Sequence, residues 1–175
     1  MFGIGEYVIY RSEGVCIITD IKHENFGVIG KDEEYYFLSP LNDRKSTVYV
    51  PVANKNLIGM MRKLLSADEI TEMAAELREE RLDWIPDSRL RNSSFKDILA
   101  IGDRCELIRL ANTVSEKLNE QTLNGKKPSA TDLGALKRAI HLLYEEFSAT
   151  TDISSPDDVL AVLAGELKLG AKVSL

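Results

Sequence analysis

The sequence predicts an α+β protein, with a small antiparallel β-barrel or curled sheet at the amino end and an all-α helical bundle after it. Three observations carry the prediction. Short segments of strand-like alternation, separated by glycine and polar turns, fill about the first third of the chain. Apolar stripes at helical spacing, with recognisable cap signals, then run almost to the carboxy end. The single tryptophan, Trp84, stands where one pattern gives way to the other.

The elements follow in order. Gly5–Tyr10 reads as a strand, and Arg11-Ser12-Glu13-Gly14 as a turn whose glycine can take positive φ. Val15–Ile21 is a second strand, apolar enough to be largely buried, and Gly27 and Gly30 punctuate the connection after it. Glu34–Leu38 is a third strand. A polar loop from Pro40 to Lys45 leads into a fourth, Ser46–Pro51. Pro51 cannot donate to a ladder, which marks this strand as a candidate edge and so as a candidate site for pairing with a partner's strand. An edge covered by the helical part fits the sequence equally well.

Ser66-Ala67-Asp68-Glu69 is a capping box, and Ile70, Met73, Ala74 and Leu77 follow it on one helical face. A second helix is expected from about Ser88 to Ala100, with Phe95, Ile98 and Leu99 apolar. Asp103 caps a third, lined by Leu107, Ala111, Val114 and Leu118. After the loop Asn124–Pro128, Ser129 opens a long helix with Leu133, Leu136, Ile140, Leu143 and Phe147 on its buried side. Ser155-Pro156-Asp157-Asp158 starts the last, whose stripe is Val159, Leu160, Leu163 and Leu167. Such stripes are most economically the core of a helical bundle.

Composition excludes several functions. The chain of 175 residues is 44% hydrophobic with a mean hydropathy of −0.15, an ordinary globular balance. No apolar run is long enough to span a membrane. Met1–Glu6 lack a charged-then-apolar leader, so the expectation is a bacterial-style cytoplasmic protein with reduced thiols. Cys16, Cys105, His23 and His141 are too scattered for a disulfide framework or a zinc site, and no cofactor is expected. There is no phosphate-cradling glycine loop and no nucleophile elbow. His23 beside Glu24, and His141 four residues before Glu145, read as surface or packing histidines. The expectation is therefore a binding protein and not an enzyme.

The net charge of −6 is unevenly spread: −2 over residues 1–60, −3 over 61–80, +3 over 81–138 and −4 over 139–175. The one positive stretch is the part that contains Trp84, in the sequence Asp83-Trp84-Ile85-Pro86-Asp87-Ser88-Arg89-Leu90-Arg91. A pI of about 5.1 argues against autonomous nucleic-acid binding but permits local phosphate contacts made while a partner holds the protein in place. An aromatic flanked by charges, where a helix begins, fits a wedge or stacking group offered to a partner. It also fits a cap on the bundle, since tryptophans are usually well buried.

The order of small barrel, linking helix and helical bundle with an early tryptophan resembles the CarD/CdnL family of bacterial transcription regulators. Phe2-Gly3-Ile4-Gly5-Glu6-Tyr7-Val8-Ile9-Tyr10 and Gly14 are similar to that family's barrel start. Thr47-Val48-Tyr49-Val50-Pro51-Val52 resembles its last barrel strand. Ser129-Ala130-Thr131-Asp132 with Leu136-Lys137-Arg138-Ala139 resembles its long carboxy-terminal helix. The barrel also resembles the polymerase-interacting domain of transcription-repair coupling factors, although no motor domain is read here.

The resemblance implies a Tudor-like barrel over residues 1–60 that binds the RNA polymerase β subunit. It implies a helical domain over 61–175, with a linking helix at about 66–80 and a DNA-contacting bundle from about 84. That bundle would meet promoter DNA at the upstream edge of the melted region, Trp84 wedging into the minor groove to stabilise the open complex. Arg89 falls at a basic DNA contact of the family, with Arg91, Lys96, Lys126 and Lys127 as further candidates. The polymerase contact would involve Glu24, Thr47, Val48, Tyr49 and Val50. Two positions where family members carry polymerase-holding arginines are Glu24 and Tyr49 here, and basic positions at the start of the long helix are Leu133 and Gly134. Lys137 and Arg138 stand nearby. Backbone pairing by Ser46–Val50 depends little on these changes. The expected protein is a monomer without membrane contact. The rival reading is an adaptor that uses only the strand edge, with a structural Trp84.

Overall fold

Period-two alternation in the first third is realised as a sheet, and the five helical stripes as five helices. The computed structural model describes residues 1–26 and 32–172, so the expected connection at Gly27 and Gly30 lies outside the described residues. Packing divides the chain into two units, Met1–Leu64 and Leu65–Leu175.

In the first unit, β1 (Tyr7–Tyr10) leads through a single 3-10 turn (Arg11–Glu13) to β2 (Val15–Glu24), β3 (Glu33–Pro40) and β4 (Val48–Pro51). A short helix α1 (Lys55–Gly59), capped by the Asn54 side chain, precedes β5 (Met61–Lys63). The sheet is antiparallel, in the order β4-β3-β2-β1-β5. It is an open sheet and not the expected closed barrel. Closure requires the two outermost strands to pair. Among the described residues, β4 pairs with β3 and β5 with β1. A bulge between Ile18 and Asp20 bends the long β2, and the Thr19 hydroxyl there donates to the Phe37 carbonyl at 3.1 Å. One face buries Val8, Tyr10, Cys16, Ile18, Tyr36, Leu38, Val50 and Met61. Met61 belongs to this core, so the sheet unit runs past residue 60, where its end was expected.

In the second unit, each helix begins at a local cap. α2 (Ala67–Leu77) has the full capping box of Ser66 and Glu69. α3 (Ser88–Ile101) is capped by the Asp87 carboxylate and ends at Gly102, whose φ of 68° suits glycine. Asp103 caps α4 (Arg104–Leu123), and Ser129 caps α5 (Ala130–Phe147). α6 (Pro156–Ala164) has proline in its first turn and ends at Gly165. α5 packs against α3, α4 and α6. The core includes Leu107, Leu110, Val114, Leu143, Phe147 and Val159, each worth about 1.5–3 kcal/mol on full burial. Arg104 of α4 pairs with Glu146 of α5 at 2.9 Å inside it. Three residues depart from their expected buried stripes: Leu133, Leu160 and Leu167 are 36%, 37% and 38% exposed.

Candidate functional site

The candidate residues fall on the two units, each with its own surface. On the sheet, β4 is an edge strand, and its alternation sets what it offers. Val50 is fully buried opposite Tyr36, so it can contribute backbone but no side chain. Its expected part in a polymerase contact is therefore limited to the backbone pairing of the strand. Val48 is half-buried, whereas Thr47 and Tyr49 are exposed.

Tyr49 belongs to an exposed aromatic surface that sequence reading missed. Its ring centroid lies 4.5 Å from Phe26 and 5.0 Å from Phe37, the latter edge-on. Phe26 also meets Tyr35 edge-on at 5.1 Å. Edge-to-face geometry is the favourable one for such rings. Lys22 Nζ sits 4.7 Å from the Phe37 centroid and 3.2 Å from Glu24, so Glu24 is half of a surface ion pair at the margin of this patch. Glu24 stands opposite Glu33 across the ladder, and Lys22 offsets that like-charge pairing. The only sequence signal for the patch was aromatic enrichment on neighbouring strands, and register decides whether those rings meet.

On the helical unit, α2 ends at Leu77 and the chain crosses α4 in an extended path. Leu82 N–H donates to Thr113 Oγ1 at 2.8 Å, Asn112 Nδ2 donates to the Leu77 carbonyl at 3.0 Å, and Arg81 pairs with Glu116 at 2.7 Å. These ties fix where Trp84 emerges. Trp84 lies in this extended segment, ahead of α3 and not within it. It is half-buried and packed on the helical core.

Arg91 stands over the Trp84 ring, 4.3 Å from its centroid, and Lys117 Nζ lies at 5.9 Å. Arg91 is buried, at 7% exposure. Its guanidinium donates to both Asp132 carboxylate oxygens at 3.0 Å, and to the carbonyls of Ile85 at 2.8 Å and Pro86 at 3.2 Å. The expectation of a DNA-facing Arg91 is thus corrected: its donors hold the Trp84 segment and α5 to α3. Arg89 and Lys96 are exposed on α3, and Lys126 and Lys127 are exposed in the loop after α4. Among the described residues, the cations over the Trp84 ring are Arg91 and Lys117, so those four are not gathered onto it. Lys117 had no sequence signal, because its position beside Trp84 arises from α4 packing. Leu90, next to Arg89, is 65% exposed.

Chemistry at other positions is sparse. Burial, with Glu13 adding to it, pushes the Cys16 thiol up to about 12, which keeps it a core side chain and not a nucleophile. His141 pairs with Glu145 at 3.2 Å along α5, and His23 lies 3.9 Å from Asp32. Among the described residues, no group of His, Cys, Asp and Glu is placed to hold a metal ion, and no helix is long and apolar enough to cross a membrane.

No curated protein matches the chain. Residues 2–65 match the family model of the CarD-like/TRCF RID domain, a span that coincides with the open sheet and its edge strand β4. Over this span, just over a third of its 175 residues, the chain is similar to CarD-like proteins.

Proposed function

We propose that the protein is a transcription regulator that docks on the RNA polymerase β subunit through β4 and the aromatic face beside it, and contacts promoter DNA through its helical unit near the upstream edge of the bubble, stabilising the open complex. The observation that carries the reading is the CarD-like/TRCF RID match over residues 2–65, which supports an RNA polymerase-interacting, transcription-associated role. An edge strand supplies the backbone half of such a contact, since strand addition draws on main-chain hydrogen bonds. Tyr49, 44% exposed and packed against Phe26 and Phe37, supplies the side-chain half where the family carries an arginine. Trp84, Arg89, Lys96, Lys126 and Lys127 form the proposed DNA-facing set, with weak binding by the free protein because the chain as a whole is acidic. The protein acts as a cytoplasmic monomer without enzymatic activity.

The half-burial of Trp84 under Arg91 favours one second reading, an adaptor that uses the sheet edge alone. One experiment separates the two. The protein is titrated onto RNA polymerase and onto an isolated β-subunit lobe, then onto polymerase–promoter complexes at rising salt. Tyr49→Ala weakens polymerase binding on the order of tenfold or more with an unchanged melting curve. A salt-sensitive increase in open-complex lifetime supports DNA contact, while polymerase binding with no effect on lifetime assigns the adaptor role. Absence of binding to either polymerase sample overturns both.

A further inference from the structure

Helices α4 and α6 both pack on α2 and on α5, and an open groove of about 830 Å3 runs between them. Its α4 wall includes Asn112, Ser115, Asn119 and Leu123, at the spacing of one helix face. Its α6 wall presents Asp157, Leu160, Ala161 and Ala164, again one face. Two helix faces thus look onto a space of the kind a further helix fills in a bundle. Leu123 is 88% exposed and Leu160 is 37% exposed, one on each wall. The Ser115 hydroxyl is buried without a hydrogen-bond partner.

Charge decides what fits. Arg81 is neutralised by Glu116 at 2.7 Å, and Glu120 by Lys117 at 2.8 Å. Glu79, Asp157 and Glu166 line the groove without an ion-pair partner among the described residues. Arg78 is the one remaining lining cation, and its guanidinium is spread against Gly165. The groove is apolar at two leucines and negative around them. A second copy docked two-fold symmetrically would set negative groove on negative groove.

We propose that the groove docks a basic amphipathic α-helix of a protein partner. Leucine-like anchors pack on Leu123 and Leu160, and lysines or arginines flanking them reach Glu79, Asp157 and Glu166. The residues on the α4 wall span about three helical turns, which sets the length of the docked segment. The groove's lining includes neither Trp84 nor any residue of β4, so the proposal stands whether or not the polymerase reading does.

The test uses the full chain and a fluorescein-labelled Leu/Lys amphipathic helical peptide, followed by fluorescence anisotropy. Its Leu/Glu counterpart is the charge control. The Leu/Lys peptide binds, and the Leu/Glu peptide does not. Leu123→Asn with Leu160→Asn weakens binding at least about tenfold, while Leu90→Asn on α3 leaves it unchanged. Leu123 is almost wholly exposed, so Leu123→Asn alone remains informative if the double variant folds poorly. Amide shift changes on peptide binding fall on residues 112–123 and 157–164. Equal binding by wild type and groove variants means general attraction to an acidic chain and overturns the proposal. So does Leu/Glu binding of equal strength. Concentration-dependent self-association that Leu123→Asn abolishes would give the groove to a second copy and overturn it as well.

Discussion

Arg91 and Asp132, 41 residues apart in the chain, form a buried two-pronged ion pair, Nε to Oδ1 and Nη2 to Oδ2, each at 3.0 Å. The same guanidinium covers the Trp84 ring. One residue thereby ties the segment that carries the tryptophan to α3 and α5. Two parallel charge-assisted bonds fix orientation as well as distance.

Removal of one partner leaves an uncompensated buried charge. Asp132→Ala is expected to cost about 3–5 kcal/mol, and Arg91→Lys to lose most of the pair because a lysine cannot fork onto both oxygens. Arg91→Met combined with Asp132→Leu costs less than Asp132→Ala alone. Urea unfolding of the three variants checks the order.

Trp84→Ala loses a half-buried ring and the contact with Arg91, an expected cost of about 1–3 kcal/mol with the fold retained. Trp84→Phe recovers most of that stability. If Trp84 acts on DNA, open-complex lifetimes fall for the Ala variant even at temperatures where it is fully folded. Lifetimes equal to wild type, measured alongside a circular-dichroism melt, assign the ring to packing alone.

Two glycines respond oppositely to alanine. At Gly134, in the first turns of α5, an added Cβ meets nothing within 4 Å, so Gly134→Ala stabilises by about 0.5–1 kcal/mol. Gly165 ends α6 at a φ of 76°, and an added Cβ would run into the Arg78 guanidinium. Gly165→Ala costs about 1–2 kcal/mol from the left-handed backbone. Arg78→Ala in that background relieves only the clash, and thermal melts of the pair separate the two contributions.

Two capping carboxylates make stability pH-dependent. The backbone N–H groups of Ser154 and Ser155 hold Asp158 below the ordinary carboxylate range, and the Ser66 N–H followed by its hydroxyl does the same for Glu69. A folded-state pKa below the unfolded one adds stability that is present above the unfolded value. That stability is lost as pH falls through the folded value. Denaturation midpoints therefore drop below about pH 4, and Asp158→Asn, which is less stable at neutral pH, shows a shallower drop. An identical acid limb in the two proteins would count against this role.

The starts of the helices were legible because caps are local: Ser66, Asp103, Ser129 and Ser155 lie within a few residues of the N–H groups they or their boxes satisfy. The edge position of β4 was legible from Pro51, which cannot serve a central strand. Met61-Arg62-Lys63 shows no alternation and becomes β5 only through pairing with β1. Leu160 and Leu167 complete an apolar stripe on paper, yet Leu160 looks onto the groove beside α4, and α6 ends at Ala164, short of Leu167.

Read alone, the sequence predicts the two-part division, the class of each part, the starts of the helices in the second part, the candidate edge strand and the singular position of Trp84. Those depend on period, on turn chemistry and on neighbours within one or two turns of chain. Packing alone sets the open sheet, the meeting of Phe26 and Phe37 on Tyr49, and the inward turn of Arg91 to Asp132 while Arg89 faces solvent. A charged side chain carries no mark of where its partner lies when that partner is 41 residues away. Packing brings the two together, and the cost of leaving a buried charge unpaired then holds them there.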